Sequence, residues 1–308
     1  MYQNEPIRNI YFGCWYVLPY LYRKNRIMVA YIGTGLLGSN FVLAMLRRGE
    51  QVQVWNRTSS KAEALETVGA KAFREPSDAV KGAERIHLTL SDDHAVDSVL
   101  EKASKNFEPG VIIIDHTTTS ASGAASRTAH WKKLGFIYVH APVFMGPVNA
   151  LESTGVMLIS GDQEIIKEVE PELSAMTGRL INFGTSTNKA AGMKLLGNLF
   201  LMSLTAGLAD VLALAKSLSI PASDVESLFS DWNPGSMAPA RLKRILSNQF
   251  SEPSWELKMA RKDARLMMEA TEGHAALNII PAIAKEMDRW IEKGHGNDDW
   301  TVIAKDSI

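Results

Sequence analysis

The stretch MVAYIGTGLLGSNFVLAMLRRG, residues 28–49, constrains the fold more than any other part of the chain. A short apolar run meets Gly33, Gly35 and Gly38, and an amphipathic run closed by Gly49 follows. A strand that passes into a helix through this spacing suits one geometry. The first glycine makes a tight turn, the second lets backbone approach a pyrophosphate, and the third lets the helix pack on the strand. Free N–H groups at the helix start then favour an anion. A second strand, QVQVWN (51–56), follows in the right order within about 30 residues. Gly33, Thr34, Gly35, Leu36, Leu37 and Gly38 are therefore read as a dinucleotide cradle.

The end of that second strand selects the dinucleotide. An acid there would accept hydrogen bonds from a ribose 2′-hydroxyl, as in NAD sites. This chain instead has Asn56, Arg57 and Thr58, with Lys61 one turn on. A guanidinium pairs with a 2′-phosphate and lies flat on an adenine. The residues predict NADPH in preference to NADH.

Two regimes follow along the chain. From Met28 to about Phe183, candidate strands alternate with helical spacing: MVAYIG, QVQVWN, RIHLTL (85–90), VIIID (111–115), FIYVHA (136–141), GVMLIS (155–160) and RLINF (179–183). That alternation predicts βαβ units on a mostly parallel sheet. After about Asn188 the pattern is helical only, with further helices near 222–232, 237–247, 255–272 and 281–293. The fold class expected is an α/β Rossmann-type N-terminal domain, 28–187, followed by an all-α C-terminal domain, 188–308, for substrate and dimerisation. Leu195 to Ala209 carries no charge. Fifteen residues are short for a bilayer span, so this helix is expected to be buried between domains or subunits.

Composition excludes several function classes. Lys+Arg is 33 and Asp+Glu 34, so no global charge draws the chain to nucleic acid or a membrane surface. Cys14 is the one cysteine. It excludes an intrachain disulfide, leaves no metal-ligand cluster and fits a reducing, cytoplasmic setting. Residues 1–27 form an atypical extension whose segment IYFGCWYVLPYLY is too short to span a bilayer and contains Pro19. Arg23, Lys24 and Arg26 follow this segment and Arg8 alone precedes it, unlike the basic start of a secretory signal. An appended or upstream-translated segment is expected, with a docking or membrane-touching arm as the alternative.

A second constellation bears on the chemistry. Besides the glycine turn and the Asn-Arg-Thr triplet, the chain carries TLSDDHAVDSV (89–99), DHTTTS (115–120), HAPVFMGPVNA (140–150), GMKLLGN (192–198) and KDARLM (262–267). In these motifs and their order, from Met28 to the C-terminus, the chain resembles the β-hydroxyacid dehydrogenase family. That family includes 3-hydroxyisobutyrate dehydrogenases and glyoxylate/succinic semialdehyde reductases, and is related to imine reductases and 6-phosphogluconate dehydrogenase. The resemblance implies that Leu90, Ser91 and Asp92 line the cofactor site and that Thr118 lies near the nicotinamide. It implies that Phe144, Met145 and Gly146 stand at the substrate-binding motif, and that Lys262 closes on the cofactor. It makes Lys194 the catalytic lysine, with Asn198 beside it, and implies a homodimer.

Lys194 and Asn198 are one helical turn apart and share a face. A lysine interrupting an apolar helix is costly to bury unless paired or functional. From the helix alone two readings stand: a desolvated proton donor, or a lysine that snorkels at the helix end. The family order favours the donor. Phe144-Met145-Gly146 replaces the usual Ser-Gly-Gly, His140 replaces an Asp, Ala190 a Gly, and Gly197 the first Asn of a pair. These departures remove a carboxylate cradle and predict a bulkier, less acidic carbonyl substrate. NADPH-dependent carbonyl reduction, or its reverse, is the function expected. Imine reduction and a non-catalytic NADP(H)-binding dimerisation module are the alternatives.

Overall fold

The computed structural model describes residues 27–308, so the expectation for the N-terminal extension falls outside the described residues. Two compact units divide the chain, the first through Gly197 and the second from Asn198.

The first unit opens with β1 (Met28–Ile32), α1 (Leu36–Arg47), β2 (Gln51–Trp55) and α2 (Ser59–Glu63). It continues with β3 (Lys71–Ala72), α3 (Pro76–Ala79), β4 (Arg85–Leu88), α4 (Asp93–Ala103), β5 (Ile112–Asp115), α5 (Ala121–Lys133) and β6 (Ile137–His140). These six strands form one parallel sheet in the order β3-β2-β1-β4-β5-β6. Then come β7 (Val143–Phe144), α6 (Pro147–Leu151), β8 (Val156–Ile159), α7 (Gln163–Ser174) and β9 (Arg179–Asn182). They make a three-stranded sheet in which β7 runs antiparallel to β8 and β8 parallel to β9.

The strand residues explain the layering. Neighbouring side chains on a strand face opposite ways. Val29, Tyr31, Ile112 and Ile114 enter one apolar cluster with Phe41, Val42 and Met45 of α1. Ala30, Ile32 and Ile113 enter a second cluster with Leu88, Val96 and Trp131. Both faces are covered, which is why these strands read as near-continuous apolar runs. Chain order reverses between β1 and β4, and ligands of such sheets bind in the crevice at the carboxyl ends there. The two-residue strands β3 and β7 were not expected. Neither is long enough to show a period.

Helix α8 (Lys189–Ser217) begins in the first unit and runs on into the second. The second unit adds α9 (Ala222–Asp231), α10 (Ala238–Ser247), α11 (Leu257–Thr271) and α12 (Ile280–Trp290), and ends in a 3-10 segment, Trp300–Ser307. Leu257, Ala260 and Ala264 of α11 pack with Ala284, Met287 and Trp290 of α12 around Val302. The start of α12 has no side-chain cap of its own. Asp210 supplies one from α8, accepting N–H bonds from Asn278, Ile279 and Ile280 at 2.6, 2.9 and 3.2 Å. These bonds hold its carboxyl below the usual range despite desolvation.

Among the described residues the apolar helix is mostly exposed: 11% of its most apolar window is buried, at a mean hydropathy of 1.7. Leu196, Leu199, Phe200, Met202 and Leu204 are all exposed. By length and composition alone α8 is long enough to cross a membrane.

Candidate active site

The glycine turn divides its labour as its spacing predicts. Gly33 adopts φ +96°, and a Cβ there would lie 2.2 Å from the Thr89 carbonyl oxygen. Its N–H donates to Trp55 O at 2.8 Å. A Cβ on Gly38 would lie 2.0 Å from Gly33 O, so α1 crosses the turn in direct backbone contact. A Cβ on Gly35 would meet nothing within 4 Å. That glycine faces open space at the start of α1, where it is the N-cap and makes no side-chain cap bond. The first turn of α1 contains no acid. An uncapped helix start beside an open glycine fits a pyrophosphate.

Thr34 and Asn56 are structural partners within this turn: Thr34 N–H donates to Asn56 Oδ1 at 3.1 Å, and Asn56 Nδ2 donates to Thr58 O at 3.0 Å. Asn56 thus ties the glycine turn to the loop after β2. Arg57, Thr58 and Lys61 are exposed. Arg57 forms no salt bridge among the described residues. Leu36 is 82% exposed at the turn, while Leu37 packs partly on the core.

The loops after β4 and β5 are tied together. Leu90 N–H donates to Thr117 Oγ1 at 2.9 Å, and Thr117 N–H to Asp115 Oδ1 at 2.8 Å. Tyr31 and Thr89 hydroxyls lie 2.6 Å apart beneath the turn. Ser91 Oγ donates to Asp92 at 2.9 Å, and Asp92 caps α4 by accepting from Ala95 N–H at 2.8 Å. Those bonds hold the Asp92 carboxyl below its usual range. Thr118 is exposed between buried Thr117 and Thr119. The bond from Leu90 to Thr117 spans 27 residues, a distance over which the sequence carries no local signal.

Phe144 ends β7, paired with Val156, and is partly buried with Met145 and Gly146. Gly146 N–H donates to Asn149 Oδ1 at 2.9 Å, so this backbone donor is already occupied. Asn149 was not singled out from the sequence. Ala190 and Ala191 of α8 are fully buried, and Ala190 N–H donates to Ser160 Oγ at 2.9 Å. Lys194, three and four residues on, continues that stripe and is buried at 9% exposure. Its Nζ lies 4.1 Å from the centroid of the Phe144 ring. It makes no ion pair among the described residues, and burial pushes its ammonium below the usual lysine range. Asn198 follows one turn later as the first residue of the second unit. In that unit Lys262 is half exposed and pairs with Asp263 at 2.9 Å.

His140, at the end of β6, is buried and held neutral by desolvation. Its Nε2 lies 2.9 Å from Thr117 O and 3.2 Å from Thr119 Oγ1, a place where a carboxylate would meet a carbonyl oxygen.

The model of the NAD binding domain of 6-phosphogluconate dehydrogenase matches residues 28–184, half of the chain. The chain belongs to that family. It is an NAD(P)-binding oxidoreductase of the hydroxyacid dehydrogenase type. Among curated relatives it is 25% identical to 3-sulfolactaldehyde reductase of Escherichia coli over 281 residues, 89% of this chain and 94% of that protein. It is 25% identical to glyoxylate/succinic semialdehyde reductase 2 of Arabidopsis thaliana over 284 residues, 89% of this chain and 76% of that one. The fold matches that of an imine reductase from Myxococcus stipitatus in complex with NADP+, with a TM-score of 0.84 at 20% identity over 90% of this chain and 99% of that chain.

Proposed function

We propose that this protein reduces a carbonyl compound of low acidity with NADPH, with Lys194 as the proton donor. The observation that carries the reading is Lys194 itself, a buried ammonium with no counter-ion among the described residues, next to the substrate-motif residue Phe144. A buried, unpaired lysine is retained where its proton is used.

The cofactor preference rests on Arg57, exposed just after β2 and without an ion pair among the described residues, and on the lack of an acid there. Gly33, Gly35, Gly38 and the start of α1 would hold the pyrophosphate, with Leu90, Ser91 and Thr118 about the rest of the cofactor. When bound, a dihydronicotinamide supplies a hydride to an electrophilic carbon. Lys194 Nζ–H then protonates the oxygen on which negative charge develops, and Asn198, one turn along α8, orients that oxygen or the lysine. A general acid of this kind contributes about 10²–10⁴ in rate.

The substrate class follows from what surrounds Phe144. An incoming carboxylate would find an aromatic ring in place of a hydroxyl, and the Gly146 N–H already bonded to Asn149. Each buried polar group left without a partner costs about 1–3 kcal/mol, whereas apolar substituents gain about 25 cal/mol per Å² buried. The test is the ratio of kcat/KM for uncharged aldehydes and ketones to that for glyoxylate and succinic semialdehyde. A ratio above one supports the reading, and a preference for succinic semialdehyde over every uncharged compound overturns it.

The exposed apolar side of α8 supports a homodimer, with a second copy covering Leu199, Met202 and Leu204. The near-balanced charge and single cysteine support a cytoplasmic setting.

A further inference from the structure

Phe144 and Gly197 depart from the family pattern at two places 53 residues apart in sequence, and the structure brings them into contact. A Cβ on Gly197 would lie 2.2 Å from Phe144 Cζ and 2.6 Å from Cε1. No side chain fits there while the ring stays in place. The same ring carries Lys194 Nζ 4.1 Å from its centroid. Lys194 and Gly197 are three residues apart on α8, so they present neighbouring points of one face. The ring therefore touches that face twice, edge against the glycine and face under the ammonium.

The strand side of the contact is also closely seated. Phe144 pairs with Val156, and a Cβ on Gly155, at φ +80°, would lie 2.9 Å from the Phe144 carbonyl oxygen. Gly155 thus lets β7 lie close to β8 at the residue whose ring reaches α8.

We infer that Phe144 is a positioning residue for Lys194 and that Gly197 is its required complement: the notch at Gly197 sets the ring, and the ring face holds the ammonium. This inference rests on Lys194 being the proton donor. Two influences then act on one group. Burial favours the neutral amine, and the negative face of the ring favours the ammonium. The ring keeps a proton on a buried lysine without a carboxylate, whose charge would repel an oxygen gaining negative charge.

The experiment titrates Lys194 directly. Reductive ¹³C-methylation of the lysines, with Lys194→Ala used to assign the resonance, gives its ionisation by NMR without any turnover. Phe144→Leu keeps an apolar wall but removes the ring face. It should lower the Lys194 pKa by about 0.4–1.5 pH units, the loss of a partly desolvated cation–π contact. The basic limb of the kcat–pH profile should move by the same amount, with NADPH affinity unchanged. Gly197→Ala pushes the ring aside while raising the intrinsic helix propensity of α8, so it should fold and shift the lysine in the same direction. Combined with Phe144→Leu it should add no further shift, because both act on one contact.

An unchanged or raised Lys194 pKa in Phe144→Leu would overturn the inference, as would shifts that simply add in the double variant. Failure of the donor reading looks different. In that case Lys194→Ala turns over normally, while the titration of Lys194 still responds to Phe144.

Discussion

Gly33, Gly35 and Gly38 look alike in the sequence, but the structure gives them different physical roles, and substitutions should separate them. Gly33→Ala places a Cβ against Thr89 O at a positive φ, and Gly38→Ala places one against Gly33 O. Both should lower the thermal midpoint. Gly35→Ala meets nothing in the protein. Its midpoint should be unchanged while NADPH affinity falls at least about tenfold, since its Cβ enters the path of the pyrophosphate. Calorimetry with cofactor titration reads both quantities, and a destabilised Gly35→Ala would show that the open space belongs to the protein. Arg57 is exposed, so screening trims the usual charge-assisted bond to about 1 kcal/mol, roughly fivefold in affinity. Arg57→Ala should erase that preference for NADPH over NADH, and equal dissociation constants in the unmutated protein would remove the basis for it. The glycines and Arg57 were legible in the sequence because their signal is local. The role of Asp92 as a helix cap became visible only once α4 was in place, although the capping spacing to Ala95 was there to read.

At the scale of elements, the strands of the large sheet share a buried polar chain that the sequence did not reveal. His116 Nδ1 donates to Ala141 O at 2.7 Å, so the neutral ring accepts at Nε2 from His87 Nδ1, 3.0 Å away. His87 Nε2 then faces Glu172 Oε1 at 2.7 Å. Arg85 beside Glu172 completes the group. Desolvation raises the Glu172 carboxyl, but its interactions with His87 and Arg85 together outweigh this and keep it below the usual range. Burial pushes His116 down to about 3, and His140 is lowered the same way. The unfolded chain binds protons at these rings near pH 6.5 that the folded chain refuses, so stability is full above that pH and falls as pH drops toward about 3. The slope should reach about 1.4 kcal/mol per pH unit for one ring. Urea unfolding from pH 7 to 4 measures it, and a flat profile would show the rings charged in the fold. His87 and Glu172 lie 85 residues apart, and no periodicity links such partners. The long strands and helices were legible because each buries one or two faces over several turns or pleats. The strands β3 and β7 were not, and among the described residues the apolar side of α8 is left open.

For the whole molecule, the exposed leucines of α8 predict a dimer in solution. Sedimentation should give about twice the 33.9 kDa chain mass. Leu199→Glu with Met202→Glu should convert it to a monomer with a lower thermal midpoint. A monomeric unmutated protein would remove the second copy as the cover of α8, and partition into lipid vesicles would assign that face to a membrane. The measurement that bears most directly on the central claim is the oxidation of NADPH, followed by its absorbance across a panel of aldehydes, keto acids and cyclic imines, for the unmutated protein and for Lys194→Ala. Turnover is expected on uncharged carbonyl compounds, with kcat lowered by about 10²–10⁴ in the variant and its NADPH dissociation constant nearly unchanged. Normal turnover by Lys194→Ala, turnover confined to cyclic imines, or NADPH binding with no turnover on any compound would contradict it.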